Sequence, residues 1–249
     1  MASKKLSTSS IIDTSVRSVE WSDDSDRLIL YADIMGFSHR VKNDNHSSLK
    51  SKLIKFKKSW ESKIKPLRKG DYLRSVQFSD SILLVVNGTD AKMFNLITKA
   101  AVCLVQSALS SGFPIKGVLA KGKFTYDKEN ELYFGLPLVD AYQLHDEIQY
   151  YGIVVHHSAE QIVKLYTDSS KPYTKAKVNL KKGMTSHYHL SWHMLDSNLS
   201  KGNIANLGND WLDKIEESVS GAPRIYVDNT RAVISLDNDH WNTAEEYVN

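Results

Sequence analysis

Hydrophobic and polar residues recur along the chain with two different periods, and their order predicts strands interleaved with helices. A β-prone apolar run over 27–34 ends just before Gly36. A helix is predicted over 46–67, because apolar residues recur there every three or four positions. These residues are Leu49, Leu53, Phe56, Trp60, Ile64 and Leu67.

The rest of the chain continues this mixture of short strands and helices. Helices are predicted after the cap residue Asp90 and from Pro137 to about 151, because both positions carry typical helix-start residues. Other predicted helices cover 158–167 and 210–219, and a last ordered run covers 224–234. Strands are predicted over 72–78, 81–86, 115–126, 132–134, 152–157, 175–180 and 187–194. Because neighbouring strands form hairpins, the pattern favours a mixed α/β (α+β) sandwich with helices packed on one mostly antiparallel sheet.

Composition narrows the class of protein only moderately. The chain is 41% hydrophobic and 24% charged, which is typical of a globular protein, and its net charge of +3 is too small to argue for a nucleic-acid partner. The single cysteine, Cys103, excludes an intramolecular disulfide and lies in an apolar run that predicts burial. The N-terminus has no apolar signal core, and no run of 18 apolar residues follows. The sequence therefore predicts a cytoplasmic protein without membrane-spanning segments.

The sharpest local feature is an aspartate at the end of an apolar strand. Asp33 is followed closely by Gly36, which lets the backbone bend and approach a phosphate. A second aspartate, Asp80, lies in the tip between two apolar strands. Two converging strand-end carboxylates suit a hard divalent cation such as Mg²⁺, with substrate phosphates completing the coordination. The alternative is that Asp33 caps a helix and Asp80 is a turn residue.

Five stretches, in order, resemble the motifs of class III nucleotide cyclase domains. LYADIMGFS at 30–38 is similar to the first metal motif, and QFSDS at 77–81 to the second. IKGVLAKG at 115–122 resembles the strand with a basic residue and spaced glycines, and FGLPLVDA at 134–141 resembles a helix opening. LKKG at 180–183 is similar to a late basic turn. The resemblance implies a cyclase domain over 21–195, after a flexible tail (1–20) and before a C-terminal extension (196–249) on the same domain.

The resemblance also implies the chemistry of the site. Asp33 and Asp80 would be catalytic and, with the backbone carbonyl of Ile34, would bind two divalent ions, Mn²⁺ or Mg²⁺. The reaction would be attack of the ribose 3′-oxygen on the α-phosphorus with loss of pyrophosphate. The active sites would lie at the interface of a homodimer.

Two departures from the family concern the base of the substrate. Purine cyclases commonly carry Lys-x-x-Gly-Asp at the second metal motif, whereas this chain has Val76 and Ser79 at the lysine and glycine positions. The family's helix asparagine and transition-state arginine fall on Val139 and Gln143. Usual adenylate or guanylate cyclase activity is therefore not expected.

The chain resembles the pyrimidine cyclases of the bacterial Pycsar antiphage system in three features. They are the loss of these purine determinants, Tyr31 two residues before the metal aspartate, and the segment 223–230. The implied product is cyclic UMP from UTP, or cyclic CMP from CTP, read by a separate effector protein. Because Arg74 can only donate hydrogen bonds, its contact with the base would favour uracil O4 and thus UTP. A different class of function stays open: an inactive cyclase-fold module that binds a nucleotide and signals through a partner.

The remaining candidate residues would contact the substrate. Phe37 and Ser38 follow the bend, where backbone N–H groups suit a triphosphate. Basic candidates for the phosphates are Lys116 and Lys181 or Lys182, although each lysine taken alone fits a solvated surface equally well. Tyr31 shares a strand face with Asp33 and would line the base pocket, with core packing as the alternative.

Overall fold

The structure is a computed structural model that describes residues 20–22, 24–166, 172–196 and 205–246. The predicted tail at 1–20 lies almost wholly outside these residues. Within the described residues the strands are β1 (Asp26–Ile34), β2 (Leu73–Phe78), β3 (Ser81–Val86), β4 (Ile115–Lys123), β5 (Thr125–Asp127), β6 (Leu132–Phe134), β7 (Gly152–Val155), β8 (Tyr173–Leu180) and β9 (Gly183–Leu190). The helices are α1 (Phe37–Asn43), α2 (His46–Ile64), α3 (Ala91–Ser110), α4 (Leu136–Glu147), α5 (His157–Tyr166), α6 (Ala205–Glu216) and α7 (Ala222–Glu246).

One seven-stranded sheet organises the molecule. Its strand order is β2-β3-β1-β4-β7-β9-β8, and every neighbouring pair is antiparallel except β4 and β7. β5 and β6 form a separate two-stranded hairpin. The predicted mixed α/β sandwich, with helices packed on a mostly antiparallel sheet, is therefore confirmed.

β1 lies at the centre of the site-bearing half of the sheet. It pairs with β3 on one side and with β4 on the other, so its backbone is held along almost its whole length. Leu28, Leu30, Ala32 and Ile34 lie on one face and are at most 1% exposed, in the same core cluster as α2 and α3. The intervening residues face the opposite side, and Asp33 is among them.

α3 is the helix at the centre of the core. It begins where predicted, since the Asp90 carboxylate accepts a hydrogen bond of 3.0 Å from the Met93 N–H. By length and composition α3 could cross a membrane, but 72% of its apolar window is buried inside the molecule. Helix α3 therefore packs as a core helix, and Cys103 is one of its buried residues.

Several predicted boundaries were wrong for local reasons. The strand expected over 115–126 divides at Phe124, because β4 pairs with β1 whereas β5 pairs with β6. α4 ends at Glu147 rather than 151, since Ile148 is extended and bridges to Leu180. α1 was not predicted; none of its residues is buried, so it leaves no apolar periodicity. The strand expected over 152–157 ends at Val155, where α5 soon follows.

The C-terminal helices pack on the core. α6 contacts α3 and α7, and Trp211 of α6 stacks on Trp192 with ring centroids 6.4 Å apart. Val227 and Ile234 of α7 belong to the same core cluster as α3. The last ordered run predicted over 224–234 lies in the N-terminal half of α7, which is 25 residues long.

Candidate active site

The candidate site is centred on Asp33 near the end of β1. In the sheet register Asp33 lies opposite Ser81 of β3 and opposite Lys116 of β4. The Ser81 hydroxyl donates a hydrogen bond of 3.0 Å to Asp33 Oδ1. The Asp33 carboxylate is thus held near the end of the central strand β1, between its neighbours on β3 and β4.

The electrostatics of Asp33 favour a cation. The pKa of its carboxyl is raised to about 6, chiefly by burial and then by the charge of Asp80. The Ser81 hydrogen bond and the charge of Lys116 act in the opposite direction. Two carboxylates therefore repel each other in a partly dehydrated position, and a divalent ion would remove that repulsion.

Asp80 is brought to this position by the β2–β3 hairpin. Ser79, at the tip, has a left-handed φ of 56°. The Asp80 carbonyl oxygen accepts a hydrogen bond of 3.1 Å from the Ile34 N–H, so the hairpin tip is tied to the end of β1. The two predicted metal aspartates therefore converge although 47 residues separate them in the sequence.

These donors fit a hard divalent ion. Asp33 and Asp80 offer carboxylate oxygens, and the predicted third donor is the Ile34 carbonyl. Among the described residues no group of three or more His, Cys, Asp or Glu side chains could hold a metal. An oxygen site with two carboxylates matches Mg²⁺ or Mn²⁺ completed by phosphates rather than a closed zinc site.

Tyr31 lies on the same face as Asp33, with its hydroxyl near Ser81 and its ring against α4. Its hydroxyl lies 3.2 Å from Ser81 Oγ, within one hydrogen-bonded group with Asp33. Its ring packs edge-on against His145 and Tyr142 of α4, with centroids 5.2 Å and 6.0 Å away. Tyr31 therefore fixes α4 over the sheet and also borders the site.

Lys116 is almost completely buried, at 4% exposure. Its Nζ donates a hydrogen bond of 3.2 Å to the Ile148 carbonyl oxygen. Burial lowers the pKa of Lys116, while the charges of Asp146 and Asp33 raise it. Lys116 is thus a charge neighbour of Asp33, placed under the site rather than on an open surface.

The other predicted phosphate contacts lie at the start of α1 and in the β8–β9 turn. Gly36, in a left-handed conformation (φ 73°), ends the metal motif, and Phe37 and Ser38 begin α1 directly after it. Lys181 forms an ion pair of 2.7 Å with Asp146. Lys182 is exposed in the β8–β9 turn.

Arg74 is the predicted site residue that the structure does not bring to Asp33. It lies in the row of Val85 and Ile29, several residues away along the strands. Its guanidinium forms a short ion pair of 2.5 Å with Asp71 and stacks over the Trp21 ring at 4.2 Å. These contacts hold the guanidinium away from Asp33, and the role of Arg74 in reading the base stays a prediction.

Sequence reasoning missed the contributions of α4 and α7. His145 is buried against Tyr31, and Asp146 pairs with Lys181. Tyr226 of α7 has its ring 5.6 Å from Lys116 Nζ. His145 and Asp146 carry no motif signal, and the resemblance of the segment 223–230 did not indicate that Tyr226 contacts Lys116, because only tertiary packing brings these residues to β1 and β4.

Beyond the end of β1 there is a cavity of about 510 Å³. It is lined partly by residues that follow the metal motif, such as Gly36 and Arg40, and partly by the α6–α7 connection, such as Val219 and Pro223. Tyr151 and Tyr226 also line it. The C-terminal helices therefore help to enclose a space that begins just after the metal motif, although Asp33 and Asp80 are not among its lining residues.

Solved nucleotide cyclase domains share this fold. The adenylyl cyclase CyaB from P. aeruginosa superposes with a TM-score of 0.51 at 11% identity, covering 66% of this chain and 93% of CyaB. The catalytic core of a rhodopsin-guanylyl cyclase with converted specificity, in complex with ATPαS, gives 0.50 at 15% identity, covering 67% and 95%. The monomeric guanylyl cyclase domain of RhoGC from the aquatic fungus Blastocladiella emersonii gives 0.50 at 13%, also covering 67% and 95%.

These superpositions define the fold of the chain as that of class III nucleotide cyclase domains. About a third of the chain has no counterpart in them. No protein-family model and no curated protein sequence matches the chain.

Proposed function

We propose that the protein is a nucleotide cyclase that converts a pyrimidine nucleoside triphosphate, UTP first, to the 3′,5′-cyclic nucleotide and pyrophosphate. The observation that carries the proposal is the convergence of Asp33 and Asp80 at the end of β1. The raised pKa of Asp33 supports it, because paired carboxylates in a partly buried position suit a bound cation. The cyclase fold around them supports the same reaction.

In the proposed reaction the ribose 3′-oxygen bonds to the α-phosphorus while the bond to the pyrophosphate oxygen breaks. Divalent ions held by Asp33, Asp80 and the Ile34 carbonyl would neutralise the attacking and leaving oxygens. Ser81 holds the Asp33 carboxylate in place, and Lys116 adds a fixed positive charge beside it. The chain's own residues thus mainly position and neutralise, as phosphoryl transfer requires.

The preference for a pyrimidine rests on the residues beside Tyr31. Val76 of β2 lies opposite Leu83, which in turn lies opposite Tyr31, so an apolar side chain takes the place expected of the purine-reading lysine. Because Arg74 is paired with Asp71, its predicted contact with uracil O4 gives UTP no added support over CTP. UTP remains our first substrate because of the resemblance to pyrimidine cyclases, and CTP is the alternative.

The direct experiment offers each of the four nucleoside triphosphates with Mn²⁺ or Mg²⁺ and identifies cyclic products by mass spectrometry. Cyclic UMP from UTP, absent in Asp33→Asn, supports the proposal. Preferential cyclic CMP from equal UTP and CTP would replace the substrate but keep the reaction. No cyclic product from any triphosphate, together with triphosphate binding, would instead identify an inactive nucleotide-binding module.

We also propose a homodimer whose interface covers the Asp33 face. Large apolar side chains stand exposed around that face on the β2–β3 tip, the β6 end and α4. They are Phe78 (80%), Phe134 (58%), Leu136 (69%), Val139 (52%) and Tyr142 (61%). An exposed apolar patch beside a polar site is typical of an interaction surface.

Sedimentation of Leu136→Glu tests the dimer, with Leu165→Glu as the matched control. Leu165 is similarly exposed, at 66%, but lies on α5. Leu136→Glu should sediment as a monomer and lose cyclase activity at micromolar concentration, whereas Leu165→Glu should keep both. A fully active monomeric wild-type protein would contradict the interfacial site.

In cells, the cyclic nucleotide would act as an antiphage signal in the cytoplasm, read by a separate effector protein. The resemblance to the Pycsar cyclases supports this role. Cyclic UMP should rise after phage infection of bacteria that express the wild-type chain but not Asp33→Asn. An unchanged level in both would contradict the signalling role.

A further inference from the structure

Three side chains of α7 hold the short segment that connects α4 to β7. The Thr230 hydroxyl is buried and accepts a hydrogen bond of 2.9 Å from the Tyr151 N–H. The Asn229 side chain donates a hydrogen bond of 2.7 Å to the Gln149 carbonyl oxygen. The Tyr226 ring stacks on Tyr151, with centroids 5.7 Å apart and planes at 20°. The α4–β7 segment is thus attached to α7 through both its backbone and a side chain.

The same α4–β7 segment, residues 148–151, holds Lys116. The Lys116 ammonium donates to the Ile148 carbonyl oxygen at 3.2 Å, and the Tyr226 ring centroid is 5.6 Å away. A buried ammonium needs such partners, because burial without them is strongly unfavourable. Since Lys116 faces Asp33 across the β1–β4 pair, contacts from α7 extend to the neighbour of a metal aspartate.

The α4–β7 segment has attachments on its other side as well. The Gln149 N–H donates to the Asn179 carbonyl oxygen at 3.0 Å, and Ile148 bridges to Leu180 of β8. These contacts would hold the segment in the sheet without α7. The alternative is therefore that α7 has a purely structural role. In that case, removing its contacts would not change the position of Lys116.

We propose that α7 is a positioning element of the active site, in which Tyr226 and Thr230 hold Lys116 beside Asp33. The kinetic part of this inference rests on the proposed cyclase function. Tyr226 supplies an aromatic face near the ammonium, and Thr230 fixes the segment whose carbonyl group accepts from it. Both residues lie in the last helix of the described residues, and in this proposal that helix serves the reaction.

The first experiment compares Tyr226→Leu, Tyr226→Phe and a matched control, Tyr188→Leu, in the full chain. The Tyr188 ring also lies near two lysines, at 5.9 Å from Lys164 Nζ and 5.7 Å from Lys175 Nζ, but on β9. Tyr226→Leu should lower kcat/KM for the triphosphate about tenfold, the effect of a partly desolvated cation–π contact. Tyr226→Phe keeps the ring and should restore kcat/KM, and Tyr188→Leu should leave it unchanged.

The second experiment does not depend on activity. It measures acetylation of the Lys116 amine by mass spectrometry in the folded protein, for Tyr226→Leu and Thr230→Val. The control is Thr98→Val, which also loses a buried hydroxyl contact, 3.2 Å from the Tyr173 hydroxyl in the α3 core. Both α7 variants should increase Lys116 acetylation several-fold, whereas Thr98→Val should not, even if it loses similar thermal stability.

The outcomes separate this inference from the proposed function. Increased Lys116 acetylation in a chain that cyclises no triphosphate would support positioning by α7 and refute the cyclase proposal. Unchanged acetylation in both α7 variants would overturn the positioning role whatever the activity. A kcat/KM loss in Tyr226→Leu that Tyr226→Phe does not restore would also overturn it.

Discussion

Both faces of β1 are buried at Leu28 and Ile29, but near the end of the strand the two faces have opposite properties. On one face Leu28, Leu30 and Ile34 are at most 1% exposed and packed with α2 and α3. On the other, Tyr31 and Asp33 are partly exposed beneath a face that α4 covers only in part. The apolar face anchors the strand so that the polar face can hold a carboxylate in a position it would otherwise avoid. The comparison shows that stability and chemistry are separated here by a single residue along the strand.

The largest effect is expected from breaking the polar face. Asp33→Asn should reduce cyclisation by more than about 1000-fold, because even residues that only support metal ligands are worth about 10–100-fold. The variant should not be less stable in EDTA at pH 7. The reason is that burial and Asp80 raise the pKa of Asp33, so its ionised form opposes folding there.

Turnover and urea unfolding of Asp33→Asn, with Asp80→Asn beside it, check both statements. Near-normal turnover in either variant would remove that residue from the metal site. A large loss of stability in Asp33→Asn would show that the carboxylate holds the sheet together rather than serving the reaction.

Leu30→Ala breaks the apolar face one residue before Tyr31. Leu30 is fully buried, so the free energy of unfolding should fall by about 2–5 kcal/mol, through lost burial and a residual cavity. Urea denaturation measures this loss. Turnover per folded molecule should change little, and a drop comparable to that of Asp33→Asn would contradict the separation of the two faces.

The polar face was largely predictable because its signals are local. The sequence pattern around Asp33, which precedes Gly36, and around Asp80, which lies in a hairpin tip, is recognisable within a few residues. The strand register then brings the two aspartates together. The partners of Arg74 were not predictable, because alternation gives the face of a residue but not its partner. Asp71 and Trp21, which hold it, offer no signal that they would do so.

The fold was predictable to a similar extent and failed for similar reasons. The cap residue and the apolar content of α3 predict that helix, whereas α1 has no buried residue and therefore no apolar periodicity. The contributions of His145 and Tyr226 to the site depend on how α4 and α7 cross the sheet. Such contacts are properties of the tertiary structure, and a single sequence contains no local pattern for them.

The smallest expected effect concerns His145 of α4, the helix that partly covers the Asp33 face of β1. Burial first, and then the charge of Lys116, lower the pKa of His145 to about 4 from its ordinary 6.5. Below pH 6.5, His145 is therefore protonated in the unfolded chain but stays neutral in the folded chain. The contribution of His145 to the free energy of unfolding should fall as the pH decreases from about 6.5 to about 4, by about 2 kcal/mol at pH 5.

His145→Phe removes this titration while keeping an aromatic ring against Tyr31, whose centroid is 5.2 Å from that of His145. Urea denaturation at pH 7 and pH 5 should show a smaller loss of stability in the variant than in the wild-type chain. Equal losses would mean that His145 titrates normally in the folded protein. Water would then reach α4 where it crosses Tyr31, and the polar face would be open further than its packing indicates.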